Sequence, residues 1–379
     1  MDVANGPRER SGRESPTGEQ SRLALLVAES SVIICTGSGG VGKTTVAASI
    51  AMEAAAQGKR ACVVTIDPAK RLADALGLRG GLSNEPRRIQ GPWSGELWAM
   101  MLDTKSTFDA LVAKYAGDPQ QAERILKNRF YRNISGALSG TQEYMAMEKL
   151  YELHEESDFD LVVVDTPPTR NALDFLEAPS HLTRFLDHRL YRLLTAPGRG
   201  ALRAVNLAAQ AFLRTVSRVV GSEVVEDAIA FFRAFEGMED GFRNRAKKVD
   251  ELIASPGTAF VLVTSPRRDT LEEARYFAEK LAESGLRVQA LVVNRMHPRF
   301  GEPRSADANR ERARTFAGKP LGALYENLAD LQTVRGREEE HLQGITALAP
   351  DAAVVMVPFL ETDVHDLDGL ARVCRHLFD

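Results

Sequence analysis

Apolar residues fall along this chain in two rhythms. Short, nearly continuous runs occur at 31–36, 61–66, 97–102, 159–165, 258–264, 288–295 and 353–359. Runs of that length, rich in Val, Ile and Leu, read as strands covered on both faces, as in a parallel sheet. Between them, apolar residues recur at three- and four-residue spacing. A helix opens at Lys43 and stops at Gly58-Lys59-Arg60, a glycine followed by basic residues. Further helices are predicted over 141–155, from Asp269 to Ser284 with Gly285 as the stop, over 305–348 and over 366–377. Leu321, Leu324, Leu328 and Leu331 keep helical spacing within the 305–348 stretch. Strand, helix, strand at these distances is a right-handed βαβ unit. The fold class is therefore α/β, a mostly parallel sheet flanked by helices, and no internal repeat doubles it.

Two stretches carry helical pattern and no strand, 104–138 and 180–254, and are read as helical insertions into one domain covering 21–379. In the second, Arg184, Arg189, Arg192, Arg199, Arg203, Arg214 and Arg218 alternate with apolar residues. Phe212, Val216 and Val219 share one helical face, and Phe231, Phe232 and Phe235 share another. Such a block either packs its apolar stripe internally or offers a basic amphipathic surface to a membrane or partner. Residues 1–20 hold almost nothing to bury and read as a disordered tail.

Composition narrows the functions. The net charge is −4, with 48 basic and 52 acidic residues, so no global field favours nucleic acid. Cys35, Cys62 and Cys374 are scattered and form no C-x-x-C pair, which argues against zinc and for a reducing, cytoplasmic setting. No stretch reads as a secretory signal or a membrane span.

The chemistry concentrates after the first strand. Gly37-x-x-x-x-Gly42-Lys43-Thr44 joins that strand to a helix, the P-loop pattern in its required context. Glycines let successive backbone N–H groups turn inward around phosphate oxygens, and the helix adds the positive end of its dipole. Lys43 contributes a point charge to the β- and γ-phosphates, and Thr44 a hydroxyl to Mg2+. The run at 159–165 delivers Asp165 to a strand's C-terminal end, where ligands bind in open α/β sheets. A carboxylate there holds Mg2+ and its waters.

With these residues collected, the chain resembles the arsenite-pump ATPases, a P-loop NTPase family with a deviant phosphate loop. That family also includes cytosolic factors that deliver tail-anchored proteins. Gly39-Gly40-Val41-Gly42-Lys43-Thr44-Thr45 is similar to its P-loop. Thr65-Ile66-Asp67-Pro68-Ala69 with Leu72-Ala73-Asp74-Ala75-Leu76 is similar to its switch I. Ser139-Gly140-Thr141-Gln142-Glu143 is similar to a characteristic helix start. Asp165-Thr166-Pro167-Pro168-Thr169 is similar to switch II, and residues 165–179 resemble an actinobacterial branch of anion-transporting ATPases. The resemblance implies ATP and Mg2+ as ligands and a dimer, either of identical chains or with a paralogous ATPase. It implies that Asp67 positions or deprotonates the attacking water. It also implies that Asn294, Arg295, Pro358 and Phe359 hold adenine. No guanine-reading Asn/Thr-Lys-x-Asp motif is present, which selects ATP over GTP.

Two departures qualify the likeness. The family's signature lysine, which reaches the partner's nucleotide, is Ser38 here. Either hydrolysis is slow, or Arg170 or a lysine of a paralogous partner supplies the charge. The Gly-His expected after Thr169 is Arg170-Asn171. The scattered thiols argue against arsenite binding, and Met238 is the sole methionine between 180 and 254, which weakens a tail-anchor groove. The leading expectation is a dimeric ATPase switch that couples nucleotide state to a protein or peripheral-membrane client. The alternatives are a weakly hydrolysing scaffold subunit and a chaperone for hydrophobic segments.

Overall fold

The structure is a computed structural model that describes residues 18–67, 71–134, 141–168, 178, 222–300, 306–345 and 349–379. In chain order it begins α1 (Gly18–Glu29), β1 (Val32–Gly37), α2 (Lys43–Ala56), β2 (Arg60–Thr65), α3 (Arg71–Ala75), β3 (Arg87–Ile89) and β4 (Glu96–Met101). Helices α4 (Thr104–Tyr115), α5 (Pro119–Lys127), α6 (Arg129–Ile134) and α7 (Thr141–Glu155) lead to β5 (Leu161–Asp165). Then come α8 (Ser222–Ala234), α9 (Glu239–Ile253), β6 (Thr258–Thr264), α10 (Arg268–Glu283) and β7 (Val288–Met296). The chain closes with α11 (Ala306–Thr315), α12 (Pro320–His341), β8 (Ala353–Pro358) and α13 (Leu367–Phe378).

The eight strands form one sheet in the order β3-β4-β2-β5-β1-β6-β7-β8. Every pair is parallel except β3–β4 at one edge. β1 shows why the inner strands are apolar throughout. Ile33 and Cys35 face a core that α1, α2 and α13 cover, whereas Val32 and Ile34 face a second core under α7, α9 and α10. Neither face meets water, so no polar alternation survives. The strands expected from the sequence are all present, and β3 is an addition.

α1 begins at Gly18, inside the stretch read as a tail. Two contacts hold its start. Glu19 accepts from the Val354 amide at 2.8 Å, and Gln20 donates to the His376 carbonyl at 3.2 Å. The helical stretch over 305–348 divides in two. A turn follows Thr315, and Pro320 opens α12 in its first turn, where a missing N–H costs nothing. Leu321 and Leu324 stand on the outer face of α12, 42 and 64% exposed.

A third core belongs to the helical insertions. Phe231 of α8 and Phe235, in the turn just after it, are buried among Tyr131 of α6 and Phe242 of α9, with ring centroids 5.0 to 6.0 Å apart. The apolar face read from the sequence at 231–235 therefore packs internally. Arg184 to Arg218, with Phe212, Val216 and Val219, lie outside the described residues. Among the described residues no helix is long and apolar enough to cross a membrane.

Candidate functional site

The site grows from the C-terminal ends of three adjacent strands. The register sets Cys35 of β1 and Thr65 of β2 both opposite Asp165 of β5. The phosphate loop leaves β1 at that level. Gly37 must be glycine because a Cβ there would lie 1.9 Å from the Val263 carbonyl oxygen. Gly42 caps α2 in the left-handed region, with φ 94°, and a Cβ on it would fall 2.3 Å from Asn294 Nδ2. Asn294 Nδ2 donates to the Val41 carbonyl at 2.8 Å, and its Oδ1 accepts from the Arg295 amide at 2.9 Å. The side chain that the resemblance gives to adenine is thus also a strut under the loop.

Lys43 folds back along the loop and donates from Nζ to the Ser38 carbonyl at 2.9 Å. Burial pulls its ammonium below the ordinary lysine range; Asp165 opposes that shift and the charge of Arg71 adds to it. Asp165 is 1% exposed. Its Oδ2 accepts from Thr44 Oγ1 at 2.7 Å and from Thr65 Oγ1 at 2.9 Å, while Oδ1 has no hydrogen-bond partner. Burial lifts this carboxyl above the ordinary aspartate range, and the two hydroxyls and Lys43 pull it back. A buried carboxylate oxygen without a partner costs roughly 1–3 kcal/mol or more. Beside the Thr44 hydroxyl it forms an all-oxygen donor set, which suits a hard dication such as Mg2+.

Gly40, Gly42, Lys43, Thr44, Thr45, Asp67, Asp165, Asn294, Arg295, Pro358 and Phe359 line one cleft of about 420 Å³, within the usual range for a small-molecule site. Val41 does not line it; its side chain is core, and its carbonyl serves Asn294. Gly39 is exposed beside Pro168 rather than in the cleft wall. Phe359 is 57% exposed and lies near-parallel to His297, with centroids 6.2 Å apart. Sequence reasoning placed Asp74 only within the switch I likeness and missed Arg71, Thr362, Asp363 and His365, and all of these line the cleft too. The last three sit in the loop after β8, where only the rule that ligands bind at strand C-termini could have pointed. Thr169, Arg170 and Asn171 lie outside the described residues. Cys35 and Cys62 are buried on β1 and β2, and Cys374 sits on α13. Burial raises the Cys62 thiol to about 12.

Residues 30–379 match the anion-transporting ATPase family. The chain belongs to that family. The chain is also similar to proteins of bacteria, an alga and fungi. ATPase ARSA2 of Chlamydomonas reinhardtii is 26% identical over 335 residues, covering 86% of this chain and 84% of the alga's protein. ATPase get3 of Aspergillus terreus is 25% identical over 318 residues, 81% of this chain and 87% of its own. An uncharacterized protein of Streptomyces coelicolor is 31% identical over 269 residues, 70% of this chain and 62% of its own. The P-loop NTPase fold read from the sequence is the fold of this family.

Proposed function

We propose that this anion-transporting-ATPase family member binds Mg-ATP in the cleft at the ends of β1, β2 and β5 and hydrolyses it. The observation that carries this reading is the Thr44–Asp165 hydrogen bond of 2.7 Å, beside Lys43 and with Asp165 Oδ1 left over. Mg2+ would be held by Thr44 directly and by Asp165 through water, and when bound it neutralises charge on the phosphates. The loop amides over Gly39, Gly40, Val41, Gly42 and Thr45 would cradle the β- and γ-phosphates with Lys43. Asn294, Arg295, Pro358 and Phe359 would hold the adenine end.

Asp67 follows β2 and is one quarter exposed at the cleft. It would orient a water against the γ-phosphorus and take its proton as the bond to the bridging oxygen breaks. ADP and inorganic phosphate are the products. Orientation is the main contribution, because phosphoryl transfer needs little covalent help. The test is steady-state ATP turnover by wild type and Asp67→Asn, with Mg-ATP affinity measured beside it. A loss of about 100-fold in kcat with affinity retained supports the assignment; equal turnover removes Asp67 from the chemistry.

Nucleotide state would reach a protein or peripheral-membrane client through the helical subdomain, in a cytoplasmic dimer of identical chains or with a paralogous ATPase. The route is β5 to α7 to α9. α7 packs on β5, and Arg245 of α9 meets Glu148 of α7 at 2.6 Å. A second reading, a weakly hydrolysing scaffold subunit, draws on Ser38, which is 4% exposed and uncharged where the resemblance implies a lysine. Turnover measured alone and with the paralogous chain separates the two; normal rates from the isolated chain exclude the scaffold.

A further inference from the structure

The cleft has an unusual charge inventory. Four carboxylates line it, Asp67, Asp74, Asp165 and Asp363, against the cations Lys43, Arg71 and Arg295 and the imidazole of His365. A magnesium-bound triphosphate still carries net negative charge, so positive side chains must turn towards it. Arg295 belongs to the β7 wall with Asn294, and His365 lies 4.0 Å from Asp363. Ser38 brings no charge. That leaves Lys43, tied to the loop, and Arg71.

Arg71 opens α3, the segment after β2. Its Nη1 stands 3.2 Å from Asp67 Oδ2, one helical turn away. The bland account is a surface ion pair of the i,i+4 type, which adds little to stability. Two observations exceed it. Arg71 lines the same cleft as Lys43. Two like charges facing one cavity repel until an anion lies between them. The side chain is also 64% exposed, whereas Asp67 is only 24% exposed, so the arginine is the partner with room to swing.

We propose that Arg71 exchanges Asp67 for the terminal phosphoryl group of the bound nucleotide, supplying from the same chain the cation that stabilises the transition state. Arginine suits the role because its fork can hold two phosphoryl oxygens at once, and its donors outnumber the single bond to Asp67. This inference rests on the Mg-ATPase reading above.

The experiment compares wild type, Arg71→Ala and Arg71→Lys in equilibrium titrations with a fluorescent ADP and Mg2+, with and without aluminium fluoride, which mimics the phosphoryl group in transfer. Turnover is measured in parallel, with and without added guanidinium. MgADP affinity should stay within about twofold in both variants, since Arg71 addresses the missing third phosphate. The tightening that aluminium fluoride brings should fall about 100-fold or more in Arg71→Ala and less in Arg71→Lys, and guanidinium should restore part of the turnover to Arg71→Ala. Tightening equal to wild type in Arg71→Ala would overturn the proposal while leaving the ATPase reading intact. Wild type without MgADP affinity would overturn both. Arg71 is exposed, so both variants should keep the wild-type thermal melting curve.

Discussion

Asp165 owes its place to being the last residue of a fully buried strand. Its place beside the phosphate loop was legible in the sequence, because the apolar run after the P-loop ends at Asp165. Lys43 and Thr44 were legible for the same reason, as spacing alone fixes the loop. Asn294 was only half legible. The resemblance suggested a base-holding amide, and the structure shows that amide bonded to the loop at Val41. Arg71 was not legible, since nothing in its local pattern distinguishes it from a solvated arginine on a short helix. Gly42 gives the sharpest residue-scale test. Gly42→Ala puts a Cβ at φ 94° and against Asn294, so it should weaken Mg-ATP binding tenfold or more while the far-ultraviolet circular dichroism stays that of wild type. An unchanged affinity would show that the loop adapts without the strut.

At the scale of elements, the sequence foretold strands that are apolar throughout and missed β3, where Arg87-Arg88-Ile89 pairs antiparallel at the sheet edge. Two exposed arginines and one buried Ile carry no strand signal; only pairing with β4 makes it one. The α11–α12 hairpin was read as one helix because helical periodicity runs through the turn, and Pro320 was the available stop signal. Caps were equally readable in hindsight. Asp103 precedes α4 and accepts from the Ser106 amide at 2.6 Å, and the Ser106 side chain together with that amide holds its carboxyl below the ordinary aspartate range. Asp103→Ala should cost about 1 kcal/mol in urea denaturation at neutral pH. Because the folded-state pKa is depressed, that benefit is present above the unfolded value and lost as pH falls through the folded one. The wild-type advantage should therefore vanish in acid, and a difference that persists there would assign it to something other than the ionised cap.

The described residues form a sheet with two cores and a helical cluster with its own. The sheet's order could not be read from the sequence, because parallel strands give no hairpin signals to say which neighbours pair. The joint between the parts was also hidden. Arg245, its side chain 7% exposed, bonds Glu148 through Nε at 2.7 Å and Glu156 through Nη1 at 3.0 Å, and lies over the Tyr151 ring. Burial lifts the Glu148 carboxyl and Arg245 draws it down. Arg245→Ala strands a buried carboxylate and should destabilise the protein by about 3 kcal/mol, whereas Arg245→Met with Glu148→Leu should recover most of that loss. Equal losses in both would mean that the pair matters for packing rather than charge.

The claim beneath all of this is that the cleft grips Mg-ATP through Lys43. Calorimetric titration of the wild-type chain and Lys43→Ala with Mg-ATP tests it most directly. Saturable binding by wild type, weakened at least tenfold in Lys43→Ala, is the expected result. Absence of saturable binding by wild type, or equal binding by the two chains, would contradict it.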